Sequence, residues 1–432
     1  MMEEAKDRVN PYVGLSRFRS CDLFAKVRKL AVNIDEEYAH RHQSPLWAVR
    51  EYHAGRAIIE DRLNSGCREV VVMCSADYLG LARHPLVVAA AIRATESLGT
   101  SVNSVPMMAG STVLHRNLED SLARFAGMEA AVLFQTGYAA NMGVISALCS
   151  YRDVIVVDNL VHHSVLDGAR LSGAKRFKFR HSDPSHLEGI LTETRAKHSD
   201  AGILVVVEGV YGIDGDIAPL PDLIRVSHKF GAKVMVDDAH ATGVIGSTGH
   251  GSVEHFNGTI KPDLIMGSLS KALGSAGGWV ACSRKVADFL RYYARTIVLS
   301  VGLPAACVGA GLASLGLIEQ ERSLLERLHA NIAFFKEGLL RLKHANAAFS
   351  ASAIISIPVG NYSALSEVNA DLFRRGVWAE GLPFPLVAKG EERIRFRLTA
   401  SHSAEDLKFA LDAVEAAFSK CSINSVDHKT HE

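Results

Sequence analysis

The stretch Ile203-Leu204-Val205-Val206-Val207 is a run of five apolar residues that ends at the acidic residue Glu208. Further strand-like runs rich in apolar residues lie at 130–134, 154–157, 233–236 and 264–266. Helical patterns separate these runs, and such alternation is typical of a mostly parallel sheet covered by helices on both faces. We therefore predict an α/β fold built on such a sheet between about residues 85 and 300.

Patterns outside this region predict how the rest of the chain is organised. They predict helices around 20–40 and 47–63, a short strand at 70–73, a helical segment near 304–343, strands at 353–358 and 393–398, and a last helix at 403–418. A chain of 432 residues is long enough for two lobes. We divide it into an N-terminal segment (1–85), a large domain (86–305), a smaller C-terminal domain (306–420) and a flexible tail (421–432).

The composition excludes several classes of partner. Lys+Arg and Asp+Glu both number 47, so the formal net charge is zero and gives no electrostatic case for binding nucleic acid or an anionic membrane. No uncharged apolar run reaches about 18 residues, and the N-terminus has no secretory pattern, so we expect no membrane span. Seven cysteines without a C-x-x-C pair favour reduced thiols in a cytoplasmic protein.

Lys271 lies in the Ser/Gly-rich segment 267–278, directly after the apolar run at 264–266. A lysine at a strand end can be desolvated, and desolvation lowers the pKa of an amine. Such an amine can form a Schiff base with an aldehyde such as pyridoxal phosphate (PLP). Most lysines in such turns are solvated surface groups. Whether Lys271 is a surface lysine or a Schiff-base lysine therefore depends on which residues lie at the other strand ends.

Two of these strand ends carry ionisable side chains. Asp237 follows the run at 233–236, and its carboxylate could pair with a protonated pyridine nitrogen. The alternatives are a helix N-cap or a metal site formed by Asp237 and His240. His162 follows the run at 154–157 and could either stack on a planar cofactor or cap a helix.

Two further strand ends have the character of ligand-binding loops. Thr136-Gly137 opens a helix, and its backbone N–H groups could bind a phosphate or simply form an ordinary turn. The segment 208–220 combines glycines with acidic residues, which suits a tight loop near a ligand or a plain loop. Neither an ATP P-loop nor a dinucleotide G-x-G-x-x-G after a strand is present. A phosphate anchor, a stacking imidazole, a ring-nitrogen acid and a Schiff-base lysine together predict a PLP site.

A set of short motifs between residues 77 and 271 resembles those of one enzyme family, and the match runs from about residue 70 to 415. The motifs are Asp77-Tyr78-Leu79-Gly80-Leu81, His84-Pro85, Gly110, His115, Leu118-Glu119, Thr136-Gly137-Tyr138-Ala139-Ala140-Asn141, Glu208-Gly209-Val210-Tyr211, Asp214-Gly215-Asp216, Asp237-Asp238-Ala239-His240 and Ser270-Lys271. They resemble the α-oxoamine synthases, which are fold-type-I PLP enzymes. The resemblance implies an aspartate aminotransferase-like large domain with a mostly parallel seven-stranded sheet, and a smaller α+β C-terminal domain.

The resemblance also implies roles for matching residues. Lys271 would hold PLP and later remove the Cα proton of an amino acid, while Asp237, His162 and His240 would contact the pyridine nitrogen, the ring face and the phenolic oxygen. These four residues form the implied catalytic set. The implied cofactor-binding set adds Thr136, Gly137, Tyr138, Glu208, Ser268, Ser270 and, from a second subunit of a homodimer, Ser300. Arg395 falls where the family's substrate-carboxylate arginine lies.

The family reaction joins an amino acid to an acyl thioester of CoA or an acyl carrier protein and releases CO₂, so the chain is expected to be a C-acyltransferase. Four positions near the implied substrate site depart from the family pattern: Ala76, Pro106, Gly212 and Val301. These departures leave open a PLP-dependent aminotransferase or aldolase on the same fold. A catalytically silent subunit is the other alternative, but such a subunit is expected to lack the lysine, and Lys271 is present. Two roles are expected for the first 70 residues, and the sequence does not decide between them: covering the active-site entrance or extending the dimer contact.

Overall fold

The computed structural model describes residues 22–25, 27, 47–61, 66–342, 344 and 350–421. The chain divides into two compact units. The large unit comprises residues 76–330 and 351–353, and the small unit comprises 1–75, 331–350 and 354–432. The domain limits predicted at residues 85 and 305 stay predictions.

The described residues contain the following strands and helices. The strands are β1 (Trp47–His53), β2 (Arg56–Asp61), β3 (Gly66–Val72), β4 (Ala130–Phe134), β5 (Val154–Asp158), β6 (Lys175–Phe179), β7 (Ile203–Glu208), β8 (Lys233–Asp237), β9 (Leu264–Ser268), β10 (Gly278–Cys282), β11 (Ile354–Pro358), β12 (Val377–Trp378), β13 (Glu380–Leu382) and β14 (Arg393–Arg397). The helices are α1 (Pro85–Leu98), α2 (Val113–Phe125), α3 (Gly137–Leu148), α4 (His163–Ser172), α5 (Pro184–Lys197), α6 (Leu220–Lys229), α7 (Ser252–His255), α8 (Arg284–Tyr293), α9 (Arg295–Val298), α10 (Ala305–Gln320), α11 (Arg322–Arg341), α12 (Tyr362–Arg374) and α13 (Ala404–Lys420), with a short 3-10 turn at Leu81–Arg83.

The large unit is built on a seven-stranded sheet in the order β4-β10-β9-β8-β7-β5-β6. All neighbouring strands are parallel except β10, which is antiparallel to both β4 and β9. Both faces are covered: Val154 and Val156 of β5 lie in one apolar cluster with helices α5 and α6, while Ile155 and Val157 lie in another with α3 and α4. This arrangement confirms the predicted mostly parallel sheet and the five strands expected within it.

Sequence patterns missed β6 and β10. Strand β6 has the sequence Lys-Arg-Phe-Lys-Phe, and four of its five residues are exposed because it lies at the sheet edge. Edge strands often carry charged residues that discourage pairing with another chain, so β6 has no apolar run to reveal it. Strand β10 follows the glycine-rich segment that contains Lys271 and is wholly buried.

The small unit contains a four-stranded sheet, β1-β2-β3-β12, and a three-stranded sheet, β11-β14-β13. The helix predicted at 47–63 is wrong, because β1 and β2 form an antiparallel hairpin around Ala54 and Gly55. Burial alternates along β2, with Ala57 and Ile59 buried, which is the period of a strand. The helix predicted around 20–40 lies almost wholly outside the described residues, whereas the strands predicted near 353–358 and 393–398 and the last helix are confirmed.

Among the described residues, no helix combines the length and the apolar character needed to cross a bilayer.

Candidate active site

The candidate site lies at one edge of the large unit's sheet. Strands β4, β5, β7, β8 and β9 run in one direction, so their carboxyl ends meet at this edge. Ligands of open α/β sheets bind outside the carboxyl ends of the strands. The residues at or just after these ends are Thr136, Asp158, Glu208, Asp237 and Ser268. The structure therefore brings together the strand ends that the sequence singled out.

The amino end of α3 lies beside the end of β9. Thr136 caps the helix by accepting a hydrogen bond from the amide of Ala139 at 2.9 Å. A Cβ at Gly137 would lie 3.5 Å from Oγ of Ser268, and that hydroxyl is 2.8 Å from Oγ of Ser270. Amides in the first helical turn lack acceptors within their own helix, so amides and serine hydroxyls converge here. The position suits a phosphate.

Asp237 is buried at the end of β8, where both of its carboxylate oxygens accept hydrogen bonds. Oδ2 accepts from Nδ2 of Asn141 at 2.7 Å, and Oδ1 accepts from the amide of Ala239 at 3.1 Å. The same Nδ2 donates to Oγ of Ser164 at 2.9 Å. Asn141 belongs to the motif at 136–141 but has no role in the sequence-based prediction. The signal that could have found it is its position on α3, one turn after Gly137. Asp237 begins no helix, so the N-cap interpretation is wrong.

His162 stands immediately before α4. Its Nδ1 lies 2.7 Å from Oγ of Ser164, and its ring accepts from the amide of Ser164, so the capping interpretation is confirmed. The ring of Tyr138 lies at right angles to it, with centroids 6.1 Å apart. Capping uses Nδ1 and is compatible with a ring face that contacts a planar ligand.

Glu208 lies buried between these elements. Its Oε1 accepts from the amide of His162 at 2.6 Å, and its Oε2 accepts from the amide of Gly212 at 3.3 Å. Burial and the neighbouring Asp237 raise the pKa of Glu208, whereas the positive charge of Lys271 lowers it. Lys271 therefore acts electrostatically on the same cluster as Asp237, as the predicted site requires.

His240 lies between Tyr78 and the loop after β7. The hydroxyl of the buried Tyr78 is 2.7 Å from Nδ1 of His240. A Cβ added to Gly212 would lie 2.7 Å from Nε2 of the same ring. Gly212, one of the positions that depart from the family pattern, thus leaves the space in which His240 sits. The sequence did not reveal the Tyr78 contact, although Tyr78 lies in a quoted motif.

Three further candidate positions of the large unit, Pro106, Ser300 and Val301, fall in two segments that touch each other. The amide of Gly302 donates to the carbonyl of Ser104 at 3.0 Å, which joins the segment of Ser300 and Val301 to that of Pro106. The carbonyl of Val301 accepts from Nε2 of Gln135 at 2.6 Å. Ala76 accepts at its carbonyl from the amide of Tyr78 at 2.8 Å.

Arg395 lies in the small unit, on strand β14. Its Nη2 donates to Oε2 of Glu380 at 2.8 Å, and Nη2 of Arg397 lies 3.1 Å from the same oxygen. The side chain of Arg395 is mostly buried. The family resemblance implies a substrate-binding role for Arg395, but the sequence gives no sign of its ion pair with Glu380.

A metal site formed by Asp237 and His240 was an open alternative. Throughout the ranges that the structure describes, no group of three or more His, Cys, Asp or Glu side chains is placed to hold a metal ion.

Comparisons with a family model, with related proteins and with solved structures all point to the same family. Residues 68–414 match the family model for aminotransferase class I and II. An 8-amino-7-oxononanoate synthase from Exiguobacterium sibiricum is 41% identical over 364 residues, which are 84% of this chain and 92% of that protein. The serine palmitoyltransferase of Sphingomonas wittichii has a TM-score of 0.87 at 28% identity and covers 93% of this chain and 100% of its own.

A high-resolution structure of serine palmitoyltransferase with PLP as an internal aldimine has the same TM-score of 0.87, at 26% identity. These likenesses confirm the predicted fold-type-I architecture and the predicted resemblance. The chain belongs to the aminotransferase class I and II family and, within it, to the PLP-dependent α-oxoamine synthases.

Proposed function

We propose that this protein is a PLP-dependent C-acyltransferase that condenses an amino acid with an acyl thioester and releases CO₂. The observation that carries the proposal is the cluster formed by Asp237, Asn141, Glu208 and Lys271 at the carboxyl edge of the sheet. Relatives that are about 40% identical are named 8-amino-7-oxononanoate synthases, which supports this reaction class for the present chain.

The residues at the sheet edge fit PLP. The first turn of α3, at Gly137 and Tyr138, would bind the phosphate with Ser268 and Ser270, whose hydroxyls lie beside it. Asp237 would bind the pyridine nitrogen, His162 would contact the ring face and His240 would bind the phenolic oxygen. When bound, PLP forms a Schiff base with an amine and withdraws electrons from the adjacent carbon.

The protein's own residues would then control orientation and proton transfer. Asn141 and the amide of Ala239 hold the Asp237 carboxylate in one position. Tyr78 does the same for the His240 ring. Lys271 Nζ would accept the Cα proton of the amino acid as a general base. Arg395 would bind the amino acid's carboxylate.

The reaction is tested by offering the purified protein with PLP a panel of amino acids and acyl thioesters. Release of CO₂ together with CoA, or with a free carrier-protein thiol, and mass spectra of an amino ketone are the expected results. Lys271→Ala should abolish both releases and prevent borohydride from fixing PLP to the chain. If no substrate pair gave these products, the condensation would be disproved; pyridoxamine phosphate with a keto acid would indicate an aminotransferase instead.

We further propose a homodimer. Met108 and Leu299 are each 78% exposed, and they flank Pro106 and Ser300 in the two segments joined by Gly302. Large exposed apolar side chains grouped in this way mark interaction surfaces. A partner subunit covering them would bring its own Ser300 toward this active site, as the family resemblance implies.

A cytoplasmic location is also proposed. The six cysteines within the described residues are free thiols, which is the usual state in a reducing compartment.

A further inference from the structure

His181 lies in the loop between β6 and α5, at the same edge of the sheet as the proposed active site. Its Nδ1 is 3.0 Å from Oδ1 of Asp158, and its Nε2 is 2.9 Å from Oδ2 of Asp216. Asp158 is fully buried at the end of β5, and Asp216 lies in the loop after β7. One imidazole therefore joins its own loop to the end of β5 and to the loop after β7.

The Asp158 end of this triad holds the segment that leads to His162. Oδ1 of Asp158 also accepts from the amide of Leu160 at 2.8 Å, two residues before His162. Oδ2 accepts from the amide of Ser182 at 2.8 Å, and Ser182 has a φ of 51°. Non-glycine residues rarely adopt this left-handed conformation because it is sterically unfavourable. The backbone at Ser182 is therefore strained where its amide binds Asp158.

The Asp216 end holds the loop that contains Gly212. The amide of Tyr211 donates to the carbonyl of Asp216 at 3.0 Å, and the amide of Gly215 donates back to the carbonyl of Tyr211 at 2.9 Å. The ring of Tyr211 stands edge-on to His181, with centroids 4.4 Å apart. The next residue, Gly212, donates its amide to Glu208.

We propose that the Asp158–His181–Asp216 triad is a positioning device that ties the segment before His162 to the loop containing Gly212. Both segments donate a backbone amide to Glu208, so the triad fixes the distance between those two donors. His181 is thus a positioning residue that acts through His162 and Gly212, an assignment that rests on the proposed PLP function. Two carboxylates share one ring, and both ring nitrogens must carry protons to donate to them.

The charge of the ring supports this assignment. Burial alone would lower the pKa of His181, but hydrogen bonds and the charges of Asp158 and Asp216 outweigh burial and raise the pKa to about 10. Besides these two acids, Tyr211 faces the ring, and Arg180, Asp183 and His186 form hydrogen bonds within its own loop. The imidazolium is therefore present at neutral pH and is lost only as the pH rises through about 10.

His181→Ala and His181→Gln test the proposal, with His228→Ala as the matched control. His228 pairs with Asp263 at 3.1 Å, at the opposite edge of the sheet. Hydrogen exchange should become faster in segments 158–162 and 209–217 of the His181 variants and stay unchanged there in the control. PLP titration should show reduced affinity for His181→Ala. The loss should be at most about 100-fold, the full cost of a lost hydrogen bond to a charged group, because His181 acts only through His162 and Gly212.

The visible circular dichroism of bound PLP gives a second measure. In the wild type it should weaken above about pH 9–10 as His181 loses its proton, whereas His181→Gln should show no such step. Unchanged exchange in both segments, or PLP affinity and dichroism equal to those of the control, would overturn the proposal. A wild type that bound no PLP would contradict the proposed function instead, and exchange, which needs no cofactor, would still test the triad.

Discussion

A Cβ added to Gly212 would lie 2.7 Å from Nε2 of His240. The imidazole can occupy its position because residue 212 has no side chain. Contacts this short force either a side chain or the backbone to move. Nδ1 of His240 is hydrogen-bonded to the hydroxyl of Tyr78 at 2.7 Å. If the ring moves away from a side chain at residue 212, it therefore loses this hydrogen bond.

Gly212→Ser should therefore displace His240 and lower the free energy of unfolding by about 1–3 kcal/mol. PLP affinity and the visible spectrum of the bound cofactor should change as well, because His240 is the proposed partner of the phenolic oxygen. Denaturant unfolding and PLP titration measure these effects. Gly189→Ser, on α5 with open space around the added Cβ, is the control. Equal behaviour of the two variants would show that residue 212 does not constrain His240.

Asn141→Ala should weaken PLP binding without changing the fold. The variant removes the Nδ2 donor that lies 2.7 Å from Asp237, and hydrogen bonds to charged groups contribute about 1.5–3 kcal/mol. PLP affinity should fall about 10- to 100-fold. Fluorescence titration with PLP checks this, with Asn117→Ala on the exposed face of α2 as the control. If the Asn141→Ala variant kept the wild-type affinity for PLP, the hydrogen bond from Asn141 would not be needed to position Asp237.

Asp238 gives a pH dependence of stability with a definite sign. Burial raises its pKa to about 6 in spite of the hydrogen bonds from Ser252. Between about pH 4, where an unfolded carboxyl titrates, and pH 6, the folded state binds the extra proton, so stability falls as the pH rises. Asp238→Asn cannot titrate and should gain stability relative to the wild type across this window.

Urea unfolding at several pH values between 4 and 7 measures that difference. The exposed Asp200→Asn serves for comparison and should track the wild type throughout. A constant difference between wild type and Asp238→Asn would mean that Asp238 keeps an ordinary carboxyl pKa.

The proposed dimer predicts that a charge on the exposed apolar side chains will separate the subunits. Met108→Asp and Leu299→Asp should shift light scattering from dimer to monomer, because desolvating a carboxylate within an apolar interface is costly. Tyr151→Asp, at a 70% exposed position after α3, should leave the dimer intact. A monomeric wild type, or dimers in all three variants, would contradict the proposed surface.

The sequence predicted the sheet and its ligand-binding edge because both depend on local patterns. Apolar runs revealed β5, β7 and β8, and the residues that follow them in the chain reach the same edge in any parallel sheet. Strand β6 was missed because its charged residues hide the pattern. The hairpin at β1 and β2 was mistaken for a helix, although burial along β2 alternates with the period of a strand.

Contacts between distant segments were not predictable from those patterns. Neither the position of His240 against Gly212 nor the double pairing of His181 follows from spacing, since each joins loops after different strands. The hydrogen bond from Asn141 to Asp237 spans 96 residues. Such contacts depend on how helices pack on the sheet, which a single sequence does not specify residue by residue.

Arg395→Lys should raise the KM for the amino acid and leave PLP binding unchanged. A planar guanidinium can bind a carboxylate with two parallel hydrogen bonds while also pairing with Glu380 at 2.8 Å, and an ammonium cannot reproduce that fork. Loss of one charge-assisted hydrogen bond corresponds to an increase in KM of about 10- to 100-fold. Arg393→Lys, two residues earlier on β14 and paired with Glu391, is the matched control. Steady-state kinetics and the PLP absorbance band separate the cases: an unchanged KM would remove Arg395 from the substrate site, and a lost PLP band would assign it to the cofactor instead.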